Sequence, residues 1–108
     1  MEDPARTQLP AGTHRLSIES GGLPREALVH VPERLRGPAP LVVVLHGRGG
    51  TALYARAVTG FSDKADEQGF VVLYPEAIRA DPRRPVHLLN NPTLWNDGST
   101  RRLPGREL

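Results

Sequence analysis

The sequence predicts a small α/β fold built on a mixed, mostly parallel sheet, and three features carry that prediction. Two wholly apolar runs, Leu41–Leu45 and Phe70–Tyr74, flank about two dozen residues of helical composition. That is the order of a βαβ crossover with parallel neighbours. Upstream, two short strand-like segments surround Gly21-Gly22, the pattern of an antiparallel pair. The first apolar run also passes directly into His46-Gly-Arg-Gly-Gly50, a turn rich in glycine at a strand end.

Taken in order, residues 1–12 are polar and proline-bearing and form an expected flexible lead-in. From Thr13 the residues alternate, with Leu16 and Ile18 on one face, predicting a strand over about 13–20. A second strand, 27–31, is stopped by Pro32. Residues 32–40 hold three prolines and a glycine and make a connector. The run 41–45 lacks polar alternation, so it is expected to be a strand buried on both faces. Residues 51–59 predict a helix closed by Gly60. Ser62 precedes an acidic turn and is the expected cap of a second helix over 62–68, stopped by Gly69. The run 70–74 forms the last predicted strand, ended by Pro75. Beyond Glu76 no period survives, and 99–108 is an unpatterned tail. More than thirty irregular residues count against this being a complete compact domain.

At 108 residues the chain suits one small domain with a modest core. Its net charge of +2 demands no anionic partner. Arg83-Arg84 and Arg101-Arg102 are isolated pairs without interleaved aromatics, so they are assigned to solvated loops and no nucleic acid is expected. The absence of cysteine excludes a disulfide framework and a thiolate metal site. His14, His30 and His87 have no partner carboxylate at a telling spacing and no metal-ligand pattern. The first ten residues lack the apolar core of a signal peptide. No window is apolar enough for a membrane span. These features leave the compartment open.

A glycine-rich turn after a buried strand frees backbone N–H groups to face a cleft, and acyl-transfer chemistry uses such donors to hold an oxyanion. The cassette Pro40-Leu-Val-Val-Val-Leu-His-Gly47, with Thr59-Gly-Phe61, Ala65-Asp-Glu-Gln-Gly-Phe-Val-Val-Leu-Tyr-Pro75 and Trp95-Asn-Asp-Gly98, resembles the N-terminal part of the polyhydroxybutyrate depolymerase-like esterases. That group of α/β-hydrolases includes feruloyl and acetylxylan esterases. The resemblance covers residues 13–98, taken as a partial α/β-hydrolase domain. It implies hydrolysis of carboxylic esters through a serine acyl-enzyme, with no metal or organic cofactor. The implied substrates are polyhydroxyalkanoate oligoesters or feruloyl or acetyl esters on polysaccharides. Dienelactone-hydrolase-like and peptidase-like enzymes share the same parts. Family members that carry disulfides differ from this cysteine-free chain, and the family is often extracellular.

The resemblance makes His46, Gly47, Arg48 and Gly49 an oxyanion loop, with the Arg48 N–H as one donor. A tight turn chosen for geometry alone is the competing reading. His46 in such a loop shapes the turn and is not the catalytic base. Trp95 and Asn96 line the cleft by resemblance, or else Trp95 covers a core edge while Asn96-Asp-Gly98 makes a turn. None of Ser17, Ser20, Ser62 and Ser99 lies in a G-x-S-x-G turn after a buried strand, so no catalytic triad is expected in these 108 residues. The chain is therefore expected to be a fragment that is inactive alone and meets ester substrate only when completed. The strand 41–45, lacking its family neighbour, would be an open apolar edge prone to self-association. The alternative is a non-catalytic α/β module that binds a partner through that edge.

Overall fold

The computed structural model describes residues 9–35, 37–81 and 83–95. Strands β1 (Gly12–Ser20) and β2 (Leu23–Val31) form a hairpin, followed by β3 (Leu41–Val43), α1 (Ala52–Thr59), α2 (Phe61–Gln68) and β4 (Val71–Pro75). Two short strands, β5 (Ile78–Arg79) and β6 (Thr93–Leu94), complete the described chain. The main sheet has the order β1-β2-β4-β3.

The hairpin register runs from Gly12 opposite Val31 to Ser20 opposite Leu23. Its two-residue turn needs positive φ at both positions, and Gly21 and Gly22 supply 62° and 75°. The strand predicted over 27–31 begins earlier, at Leu23. Pro24 is accommodated because it lies beyond the end of β4, where one side of β2 is open and a missing N–H breaks no second ladder. The lead-in expected over 1–12 yields Gly12 to β1, and residues 1–8 and the tail 99–108 lie outside the described residues.

Of the three pairings in this sheet, β3–β4 is parallel while β1–β2 and β2–β4 are antiparallel. The described sheet is therefore mixed without being mostly parallel, because a hairpin supplies half of its strands. Thr51 caps α1, its Oγ1 accepting the Tyr54 N–H at 3.0 Å. Gly60 ends α1 and begins α2. Ser62 does not cap α2; its hydroxyl instead meets the buried Tyr74 hydroxyl at 2.7 Å.

The core joins Leu28, Val44, Val72 and Tyr74 of the sheet to Ala52, Ala55 and Ala65 of the helices. Alanines on the inner helix faces let both helices approach the same side of the sheet. On the opposite side Val29 is buried, but the residues of β3 are left bare. Leu41, Val43 and Leu45 are 57%, 51% and 60% exposed, which corrects the expectation of a strand buried on both faces. Regular pairing also stops at Val43, two residues short of the predicted end. Apolarity alone did not reveal that β3 is the last strand of the described sheet, with helices on one side. No helix among the described residues is long and apolar enough to cross a membrane.

Candidate functional site

The loop after β3 lies at the carboxyl ends of the parallel strands β3 and β4, where open α/β sheets bind ligands. His46 begins it, with its side chain 1% exposed. The Ala77 N–H donates to His46 Nε2 at 3.0 Å, so the ring proton sits on Nδ1, which donates to the Gly47 carbonyl at 2.7 Å. Both ring nitrogens are thereby occupied, and His46 acts as a structural post. Glu76 Oε1 stands 3.7 Å from Nε2, while Glu76 Oε2 accepts the Ala52 N–H at 3.0 Å. The carboxylate thus braces the helix start that follows the loop.

Residues 47–50 close a turn in which the Gly50 N–H donates to the Gly47 carbonyl at 2.9 Å. Gly49 has φ of 74°, the backbone that glycine favours at the third position of a type II turn. A Cβ there would stand 2.6 Å from Leu88 Cδ1. The Gly49 N–H donates to the Thr93 carbonyl at 2.9 Å, and the Thr93 hydroxyl donates to the Gly50 carbonyl at 2.8 Å. Trp95 Nε1–H donates to the His46 carbonyl at 2.7 Å, and the two rings lie 4.8 Å apart. Amid this bonding the Arg48 N–H has no hydrogen-bond partner among the described residues.

The four loop residues singled out from sequence are contiguous here, and Trp95 backs the loop from behind. Asn96 lies outside the described residues. Sequence reasoning missed Glu76, Ala77 and Thr93, since no spacing rule links residue 46 to residues 77 or 93. It also treated 76–95 as irregular, whereas Ile78 pairs with Leu94 and Arg79 with Thr93. Beside the loop opens a groove of about 670 Å³, lined by the start of β2 and by residues 86–88.

Away from this loop, His30 bridges three elements. Its Nδ1 lies 3.1 Å from Thr13 Oγ1 and its Nε2 lies 2.8 Å from Asp66 Oδ1. His30 therefore has a partner carboxylate, on a helix 36 residues away, a separation that no local spacing signals. In the 81–92 loop, the Arg83 backbone N–H and guanidinium hold the Asp81 carboxyl below its ordinary value.

No protein-family model matches the chain. An acetylxylan esterase from Coprinopsis cinerea is 34% identical over 77 residues, covering 68% of this chain and 21% of that protein. The S-formylglutathione hydrolase of Agrobacterium tumefaciens, an α/β-hydrolase, superposes with a TM-score of 0.61 at 24% identity. This chain carries part of an α/β-hydrolase fold. The match takes in 79% of this chain and 32% of the solved one. The chain thus spans about a fifth of the curated relative and a third of the solved structure.

Proposed function

We propose that residues 46–50 are the oxyanion loop of a serine esterase that hydrolyses carboxylic ester bonds. The observation that carries this reading is the open Arg48 N–H, in a turn pinned on either side of it by the bonded Gly47 carbonyl and Gly49 N–H. A donor held in place before reaction stabilises a developing oxyanion without reorganisation. The acetylxylan esterase likeness supports ester chemistry, and the sequence resemblance supports feruloyl or acetyl polysaccharide esters or polyhydroxyalkanoate oligoesters. Serine acyl-enzyme chemistry needs no metal or organic cofactor. In this reading the nucleophile, base and acid come from sequence other than these 108 residues, which alone turn over no ester.

A chimera tests the donor. The aligned segment of the acetylxylan esterase is replaced with that of this chain and assayed on a nitrophenyl acetate. Arg48→Pro, which removes the N–H, is expected to lower kcat by roughly 10²–10³-fold, while Arg48→Ala keeps it within a few-fold. Equal activity of the two variants would refute the oxyanion role.

The exposure of Leu41, Val43 and Leu45 on β3, at the sheet edge, favours a second reading, in which the chain pairs through this strand with a partner or another copy. Unlike β1, which carries Arg15 and Glu19, β3 has no charge to blunt its edge. Sedimentation is expected to show concentration-dependent association that Val43→Lys abolishes; a concentration-independent wild-type monomer refutes it.

A further inference from the structure

We infer that the 81–92 loop is a preformed specificity wall, and that Leu88 sets the size of the uncharged apolar group admitted beside residues 46–50. The inference deepens the esterase reading and takes from it the nature of the ligand.

Asn91 organises this loop from the inside. Its side chain is buried and makes a set of bonds no periodic pattern announces. Oδ1 accepts the Asp81 N–H at 2.6 Å, and Nδ2 donates to the carbonyls of Asp81, Arg84 and Pro85 at 2.9, 3.1 and 2.9 Å. Its backbone exchanges two bonds with His87, each 2.9 Å. His87 Nδ1 then accepts the N–H groups of Leu89 and Asn90 at 3.2 and 3.1 Å.

A loop held this firmly nevertheless presents Val86, Leu88 and Leu89 at 57%, 66% and 79% exposure. Apolar side chains fixed in water, outside any core, mark a contact surface. Val86 and Leu88 line the groove and Leu89 does not. Leu88 reaches over Gly49, so a ligand whose reacting centre sits at the 46–50 loop must abut it. Leu23 and Pro24 face it from the hairpin and Ile78 lies between. The volume, about 670 Å³, suits a small organic ligand.

Charge selects further. Of the charged groups on the groove, Glu26 is paired by Arg15 at 3.3 Å, and the others, Glu76 adjoining the loop itself and Arg79, are one of each sign. A mostly apolar lining with no surplus cation favours an uncharged ester and disfavours the carboxylate that hydrolysis releases. The same groove that admits substrate therefore helps to discharge product.

The test is an amide-resolved NMR titration of the 108-residue chain with methyl benzoate and, separately, benzoate. Methyl benzoate is expected to shift Gly49, Ile78, Val86 and Leu88, and benzoate to bind several-fold more weakly. Leu88→Trp, which fills the groove, should weaken methyl benzoate at least about fivefold, the worth of one or two buried methylenes. Val86→Trp should act likewise, and Leu89→Ala should leave binding unchanged. All three side chains are exposed, so the core is untouched. No saturable shift, shifts mapping to Leu41 and Val43, or insensitivity to both tryptophans would overturn the inference. Binding is read here without turnover. Groove binding with an Arg48→Pro-insensitive chimera would sink the esterase reading alone, and the converse would sink the groove alone.

Discussion

Replacing Asn91 with leucine removes every hydrogen bond its side chain makes while keeping the branched shape. The lost bonds use one acceptor on Oδ1 and two protons on Nδ2, shared among three carbonyls. At about 1 kcal/mol for each donor proton or acceptor site, the loop loses about 3 kcal/mol. That corresponds to roughly a 150-fold rise in its opening constant. The damage should stay local, because the loop adds nothing to the cluster of Leu28, Val72 and Tyr74. Amide hydrogen exchange separates the two levels. The amides of Asp81, His87 and Asn91 are expected to exchange about 100-fold faster in the variant, with those of Val29 and Val72 changing less than about threefold. Uniform acceleration across the sheet would mean that the loop and core unfold as one unit. No acceleration at His87 would mean that Asn91 is not the organiser.

Two further outcomes test other contacts. His30→Ala cuts the ties to Thr13 and Asp66 and is expected to lower unfolding free energy by about 1–2 kcal/mol, discounted because Asp66 is half exposed; a change under about 0.5 kcal/mol in chemical denaturation would count against it. Asp81 is held below its ordinary value of 3.8 first by the Arg83 backbone N–H and then by its guanidinium. Because the folded value is depressed, its stabilisation is complete above the unfolded value and is lost as pH falls through the folded one. A carboxyl titration should find Arg83→Ala raising the midpoint while leaving it below 3.8, since the backbone donor remains.

What the sequence disclosed and what it hid divide along physical lines. Gly21-Gly22 announced the hairpin because its turn needs a backbone few other residues adopt. Gly60 and Gly69 announced the helix ends for a similar reason, and the runs 41–45 and 70–74 announced the parallel pair. The site loop was legible as a motif, since glycines after a strand are a local signal. Its supports Glu76, Ala77 and Thr93 were not, because they reach it through long-range bonds that no local spacing announces. Burial of 41–45 was misjudged because a run of Leu and Val states an apolar preference but not which face the helices cover. Residues 76–95 looked shapeless because their order comes from one buried amide, and one residue has no period. Ser62 was misassigned because a hydroxyl before an acidic turn fits a cap equally well as a partner for a distant tyrosine.

The direction in which the 46–50 loop is held has a consequence for how it is made. Every residue that fixes it, Glu76, Ala77, Thr93 and Trp95, follows it in the chain, the last by 49 positions. During synthesis at about 5–20 residues per second, β3 and its glycines therefore emerge roughly 2–10 s before their final clamp exists. Until Trp95 arrives, an apolar strand leads into an untethered turn. Birth order makes this stretch the natural target of a chaperone that binds extended apolar segments.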